Sequence, residues 1–140
     1  MSVLVRRVLR EMEPFLSKKV FTSEINDGVS ILGDEALLEH ALWTLFTCAT
    51  ALSPDHVVKV SLTRDHRARL TVDIDPSGIP LTSLEELFMP FRSLQYETAD
   101  GLHSPIGLYL CREIVRVHNG QLYVHELSQS SPEFLMELPI

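Results

Sequence analysis

Residues 106–124 read IGLYLCREIVRVHNGQLYV, a helical pattern that runs into a turn and then directly into a strand. Ile106, Leu110, Ile114 and Val117 recur at three- and four-residue spacing. They predict a helix over 106–118 with those four residues on one face. Asn119-Gly120 offers a C-cap. Leu122 and Val124 alternate with polar neighbours and predict a strand over 121–127, and Phe134, Met136 and Leu138 do the same for 133–138.

Working outward, Val5, Val8, Leu9, Met12 and Phe15 form one stripe of an amphipathic helix over 3–16. Residues 20–25 and 29–32 read as short strands joined by Asn26-Asp27-Gly28, a strong hairpin turn. Gly33-Asp34 opens a second helix with Asp34 as N-cap. Its apolar stripe is Leu38, Ala41, Leu42, Leu45, Phe46, Ala49 and Leu52, and Ser53-Pro54 ends it. Residues 57–63 and 68–74 alternate as strands and pair across the turn Arg64–Arg67. Pro76, which has no N–H to donate, and Gly78, which permits positive φ, stop the second of these. Residues 82–88 read as a short capped helix, and 92–105 as a long irregular loop. Hairpins dominate this order. The expected fold is therefore an α/β two-layer sandwich, a mixed and mostly antiparallel sheet covered on one face by three main helices. At 140 residues, 1–140 reads as a single domain.

The formal net charge of −7 and the scattered basic residues exclude a general nucleic-acid binder. No apolar run reaches the ~20 residues that span a bilayer. The Arg-rich start has no cleavable small-residue site and is not a signal peptide. Cys48 and Cys111 lie far apart within helical patterns and read as free thiols of a reducing, cytoplasmic compartment. With no CxxC and no HExxH, no metal site is expected. His40 and Cys48 stand about 12 Å apart along a helix, too far for one ion.

Four stretches, taken in order, resemble the catalytic ATP-binding domain of sensor histidine kinases, the Bergerat fold also used by gyrase and Hsp90. IGLYLCREIVRVHNGQLYV resembles that family's GLGL-to-HGG stretch, with Gly107, Leu108, Ile114, Val115, His118 and Gly120 in register. LFMPFRSL at 87–94 resembles LFxPFxR through Phe88, Pro90 and Phe91, with Arg92 one place before the motif's arginine. SGIP at 77–80 matches the end of the DxGxGIP turn. DEALLEHALWTLFTCATALSP at 34–54 lies along the helix that carries two asparagines. The resemblance implies the same fold, and residues 1–140 as the C-terminal domain of a longer signalling protein.

It also implies where a nucleotide would sit. The two asparagine positions, one of which binds Mg²⁺, fall on Thr44 and Cys48. Mg²⁺ is a hard ion that takes oxygen ligands, and a thiol is soft. The aspartate that accepts the adenine amino group falls on Ile74, with Asp75 one residue on and facing the other way along a strand. Gly78 and Ile79 keep the turn, while Pro76 replaces its first glycine. Gly107 and Leu108 keep the end of the phosphate-binding entry, while His103 and Pro105 replace its glycines. Nucleotide-pocket positions are thus Thr44, Cys48, Ile74, Asp75, Gly78, Ile79, Gly107 and Leu108. No catalytic residue and no metal ligand is assigned.

The expected function is a degenerate ATP-binding-like domain of a two-component sensor histidine kinase. It would act through protein–protein contacts, with little or no use of Mg-ATP and no cofactor. Its expected partners are kinase dimerisation helices or a response regulator, with a homodimer formed through the parent protein as a further option; nucleic acid and membrane are excluded for this segment. The alternative is a divergent but active domain that uses Mg-ATP to phosphorylate a histidine in a partner helical domain. A third reading places another ligand in a more apolar cleft.

Overall fold

The structure is a computed structural model and describes residues 1–15, 21–53, 57–75, 88, 107–125 and 132–140. The elements are α1 (Ser2–Met12), a 3₁₀ turn (Glu13–Phe15), β1 (Phe21–Ile25), α2 (Glu35–Leu52), β2 (Val58–Arg64), β3 (Arg67–Asp73), α3 (Gly107–Val117), β4 (Gln121–His125) and β5 (Glu133–Pro139). The sheet order is β1-β2-β3-β5-β4. β1 and β2 are parallel and the other three pairs antiparallel, so the expected mixed, mostly antiparallel sheet is found.

One sheet face is apolar because strand residues alternate. Val60, Val72, Phe134 and Val124 are in register across it, as are Leu62, Leu70, Met136 and Leu122. Most of these are under 5% exposed, and they meet the inner faces of the helices. The opposite face carries Lys59, Thr63, Arg69 and Gln121, all exposed. The whole expected stripe of α2, from Leu38 to Leu52, is buried. Asp34 is its N-cap, with the carboxylate accepting from Leu37 N–H at 3.0 Å.

Three expectations need correction. The helix over 3–16 stops at Met12 and tightens into the 3₁₀ turn, because Pro14 has no N–H for another α-helical bond. Residues 29–32 are not a strand. The turn before them forms, with Gly28 at φ +71. But Val29 exchanges hydrogen bonds with Ser2 at the start of α1, its N–H donating to Ser2 Oγ at 2.9 Å and its carbonyl accepting from Ser2 N–H at 3.1 Å. β1 instead runs parallel to β2, with α2 as the crossover. On α3 the buried residues are Gly107, Leu108, Cys111, Ile114 and Val115, while Leu110 and Val117 are exposed. Two apolar stripes overlap on this helix, and the one that meets α2 is the buried one. The C-cap expected at Asn119-Gly120 forms, with Asn119 left-handed at φ 62. Gly120 N–H reaches Val115 carbonyl and Asn119 N–H reaches Arg116 carbonyl, closing a Schellman motif. Gly120 is needed for close approach, since a Cβ there would meet the Glu137 carbonyl oxygen at 2.3 Å. The helix expected at 82–88, Phe88 apart, and the loop at 92–105 lie outside the described residues.

Candidate functional site

Two contacts fix how α2 and α3 pack. Cys111 Sγ donates to Ala41 carbonyl at 3.3 Å, and Asp34 N–H donates to His118 Nε2 at 3.0 Å. Both helices advance by the same number of residues between these contacts, in opposite chain directions, so the pair is antiparallel and in step. At ~1.5 Å per residue, one further turn brings Gly107 and Leu108 alongside Thr44 and Leu45. The third wall is the end of β3. Asp75 N–H donates to Ser53 Oγ at 2.8 Å, which ties that end to the C-cap of α2. Ile74 N–H donates to Pro132 carbonyl at 3.0 Å, which ties it to the approach to β5.

Thr44, Cys48, Ile74, Gly107 and Leu108 therefore gather where the C-terminal half of α2, the end of β3 and the start of α3 converge. Gly78 and Ile79, and with them Pro76, His103 and Pro105, lie outside the described residues. The α2 stripe grades along its length: His40 is exposed, Thr44 half-buried and Cys48 only 1% exposed. Burial pushes the Cys48 thiol up to about 12. Burial likewise raises Cys111, and the proximity of Cys48 adds to the effect. Both are free thiols that stay protonated at neutral pH. Thr44 Oγ1 is the one hard oxygen that the α2 stripe brings to the site. Among the described residues no cluster of His, Cys, Asp or Glu can hold a metal ion.

At the end of β3 the alternation continues without a break. Ile74 follows Leu70 and Val72 on the inner face and is fully buried. Asp75 is exposed on the next position and is held by its main chain to Ser53.

Packing around this end is dense. Phe88 is 3% exposed and meets Phe134 edge-to-face, with ring centroids 5.9 Å apart. The Arg112 guanidinium lies 3.8 Å over the Phe88 ring, and its Nε donates to Leu122 carbonyl at 3.2 Å. Sequence reasoning placed Phe88 but missed Ser53, Arg112 and the bridging role of His118. Ser53 had a signal, as a hydroxyl residue before proline at a helix end. Arg112 had none, because its value comes from a ring that is distant in sequence.

Residues 33–140 match the family model described as histidine kinase-, DNA gyrase B- and HSP90-like ATPase. The chain is 28% identical to the adaptive-response sensory kinase SasA of a Synechocystis strain, over 98% of the chain and 37% of that protein. It is 30% identical to SasA of a Prochlorococcus marinus strain, over 89% of the chain and 35% of that protein. It thus spans little more than a third of these relatives. Among solved structures, the nucleotide-free catalytic domain of histidine kinase ThkA superposes with a TM-score of 0.71 at 21% identity, covering 99% of this chain and 91% of that one. Full-length ShkA in complex with AMPPNP superposes with a TM-score of 0.71 at 20% identity, covering 99% of this chain and 29% of that one.

Proposed function

The chain belongs to the histidine kinase-, DNA gyrase B- and HSP90-like ATPase family, and we propose that it serves there as a sensor-kinase ATP-binding-like domain that signals by protein contact and makes little or no use of Mg-ATP. The observation that carries this reading is the end of β3. Ile74 occupies the position implied for the adenine acceptor and is fully buried in the inner-face row. Asp73 and Asp75, the carboxylates on either side of it in sequence, both stand on the alternate position, where Asp73 accepts from Lys59 N–H and Asp75 is exposed. A methyl-bearing side chain cannot accept a hydrogen bond, and a site built around such an acceptor loses most of its discrimination without it. Cys48 supports the same reading, since a buried neutral thiol is a poor ligand for a hard cation.

On this reading the partners are the dimerisation helices of a kinase or a response regulator, and residues 1–140 act as one domain of a signalling protein. The half-buried Thr44 hydroxyl, on the α2 turn that the helix spacing sets beside the start of α3, favours a second reading in which a divergent pocket still takes Mg-ATP and serves a phosphorylatable histidine on a helical partner.

Titration calorimetry with ATP and ADP, each with and without Mg²⁺, separates the two. The first reading predicts no heat at millimolar nucleotide from a folded sample. Micromolar, Mg-dependent binding would overturn it and make Asp75→Ala the first variant to test.

A further inference from the structure

The junction between the start of α2 and the end of α3 is closed by one imidazole. His118 Nδ1 lies 2.8 Å from Ile114 carbonyl, and His118 Nε2 lies 3.0 Å from Asp34 N. A carbonyl can only accept, so Nδ1 carries the hydrogen. A main-chain N–H can only donate, so Nε2 presents its lone pair. Both bonds are made together by one tautomer of the neutral ring. The ring is also held in place: a Cβ on Gly33 would lie 2.6 Å from His118 Cδ2 and 2.9 Å from Nε2. Glycine at 33 lets the main chain pack against the imidazole.

From this geometry we propose that His118 is a pH-sensitive latch between α2 and α3, closed while the ring is neutral and released when Nε2 takes a second proton. That proton would face the Asp34 N–H across the present hydrogen bond and leave it without its acceptor. It would also stand at the N-terminus of α2, where the helix dipole disfavours a cation. The C-terminus of α3 favours positive charge, but the neutral ring already meets it through Nδ1–H.

The charged groups on the packed elements are otherwise engaged. The Asp34 carboxylate accepts from Leu37 N–H, Glu35 pairs with Arg7, and Glu113 pairs with Arg116. None of these makes a bond to the imidazole that would compensate a second charge. Because α2 carries Thr44 and Cys48, and α3 starts at Gly107, the latch holds one end of the helix pair whose other end walls the candidate site.

The test uses the 140-residue chain with ¹⁵N-labelled histidine. Imidazole ¹⁵N shifts near neutral pH should report hydrogen on Nδ1 of His118, and a proton on Nε2 instead would overturn the proposal. Between about pH 8 and about pH 5, protection of the Asp34 amide, corrected for intrinsic exchange, should fall about tenfold, the equivalent of one hydrogen bond. His118→Gln keeps one donor and one acceptor but does not titrate, and its Asp34 protection should stay flat over the same range. Unchanged Asp34 protection in the native chain would overturn the latch, and that result does not depend on the variant folding.

Discussion

At one end of the α2–α3 pair, Gly33, Asp34 and His118 meet through main-chain hydrogen bonds with no room for an added methyl group. Toward the other end, Thr44, Cys48 and Ile74 offer a half-buried hydroxyl, a buried thiol and a buried aliphatic chain. Both ends are well packed, but they differ in polarity. Among the described residues, the latch end pairs its donors and acceptors with each other, whereas the site end presents a hydroxyl, a thiol and an aliphatic chain. On the reading proposed above, the fold keeps the packing that shapes a pocket while groups that would act on a nucleotide are replaced by apolar ones.

The most forceful way to break this contrast is at Phe134, whose fully buried ring supports Phe88 beneath the site end. Phe134→Ala should cost about 3–5 kcal/mol in urea unfolding. A cost below about 1 kcal/mol would mean that the site end is loosely packed. Next is Cys48→Asn, which restores the amide that the family resemblance implies. At a position only 1% exposed, it should destabilise the chain by about 1–3 kcal/mol. A neutral or stabilising result would show the site end to be polar and open. At the latch end, Asp34→Ala should cost about 1 kcal/mol through the lost N-cap, while Asp34→Asn should cost much less. A further effect is alkaline and grows with pH. The Cys48 thiol is raised from 9.0 to about 12 in the fold, so the unfolded chain releases that proton first. Stability should therefore fall as pH rises through this window. Cys48→Ala should flatten part of that fall, and a thiol reagent at neutral pH should react only after unfolding.

Much of this was legible in the sequence wherever one period had one interpretation. The α2 stripe from Leu38 to Leu52 and the inner-face residues Phe134, Met136 and Leu138 are buried as the spacing predicts. Where two patterns overlapped, spacing alone could not choose. α3 carries apolar residues on adjoining stripes, and contact with Ala41 decides for Cys111 and against Leu110. The hairpin at Asn26-Asp27-Gly28 failed because a turn signal says that the chain bends, not which neighbour it then meets. Val29 met Ser2 at the start of α1. The site was legible as positions, through family register, but its bonds were not. Asp75 to Ser53, Arg112 to Phe88 and His118 to Asp34 all join residues distant in sequence.

The central claim is that the site end does not use Mg-ATP. It is tested most directly by urea unfolding with and without millimolar Mg-ATP, followed through Trp43, the single tryptophan, which adjoins Thr44 in sequence. A ligand present at a hundred times its Kd adds about 2.7 kcal/mol to stability. The account predicts superimposable curves; a shift of that size, seen with Mg-ATP and absent with Mg²⁺ alone, would contradict it.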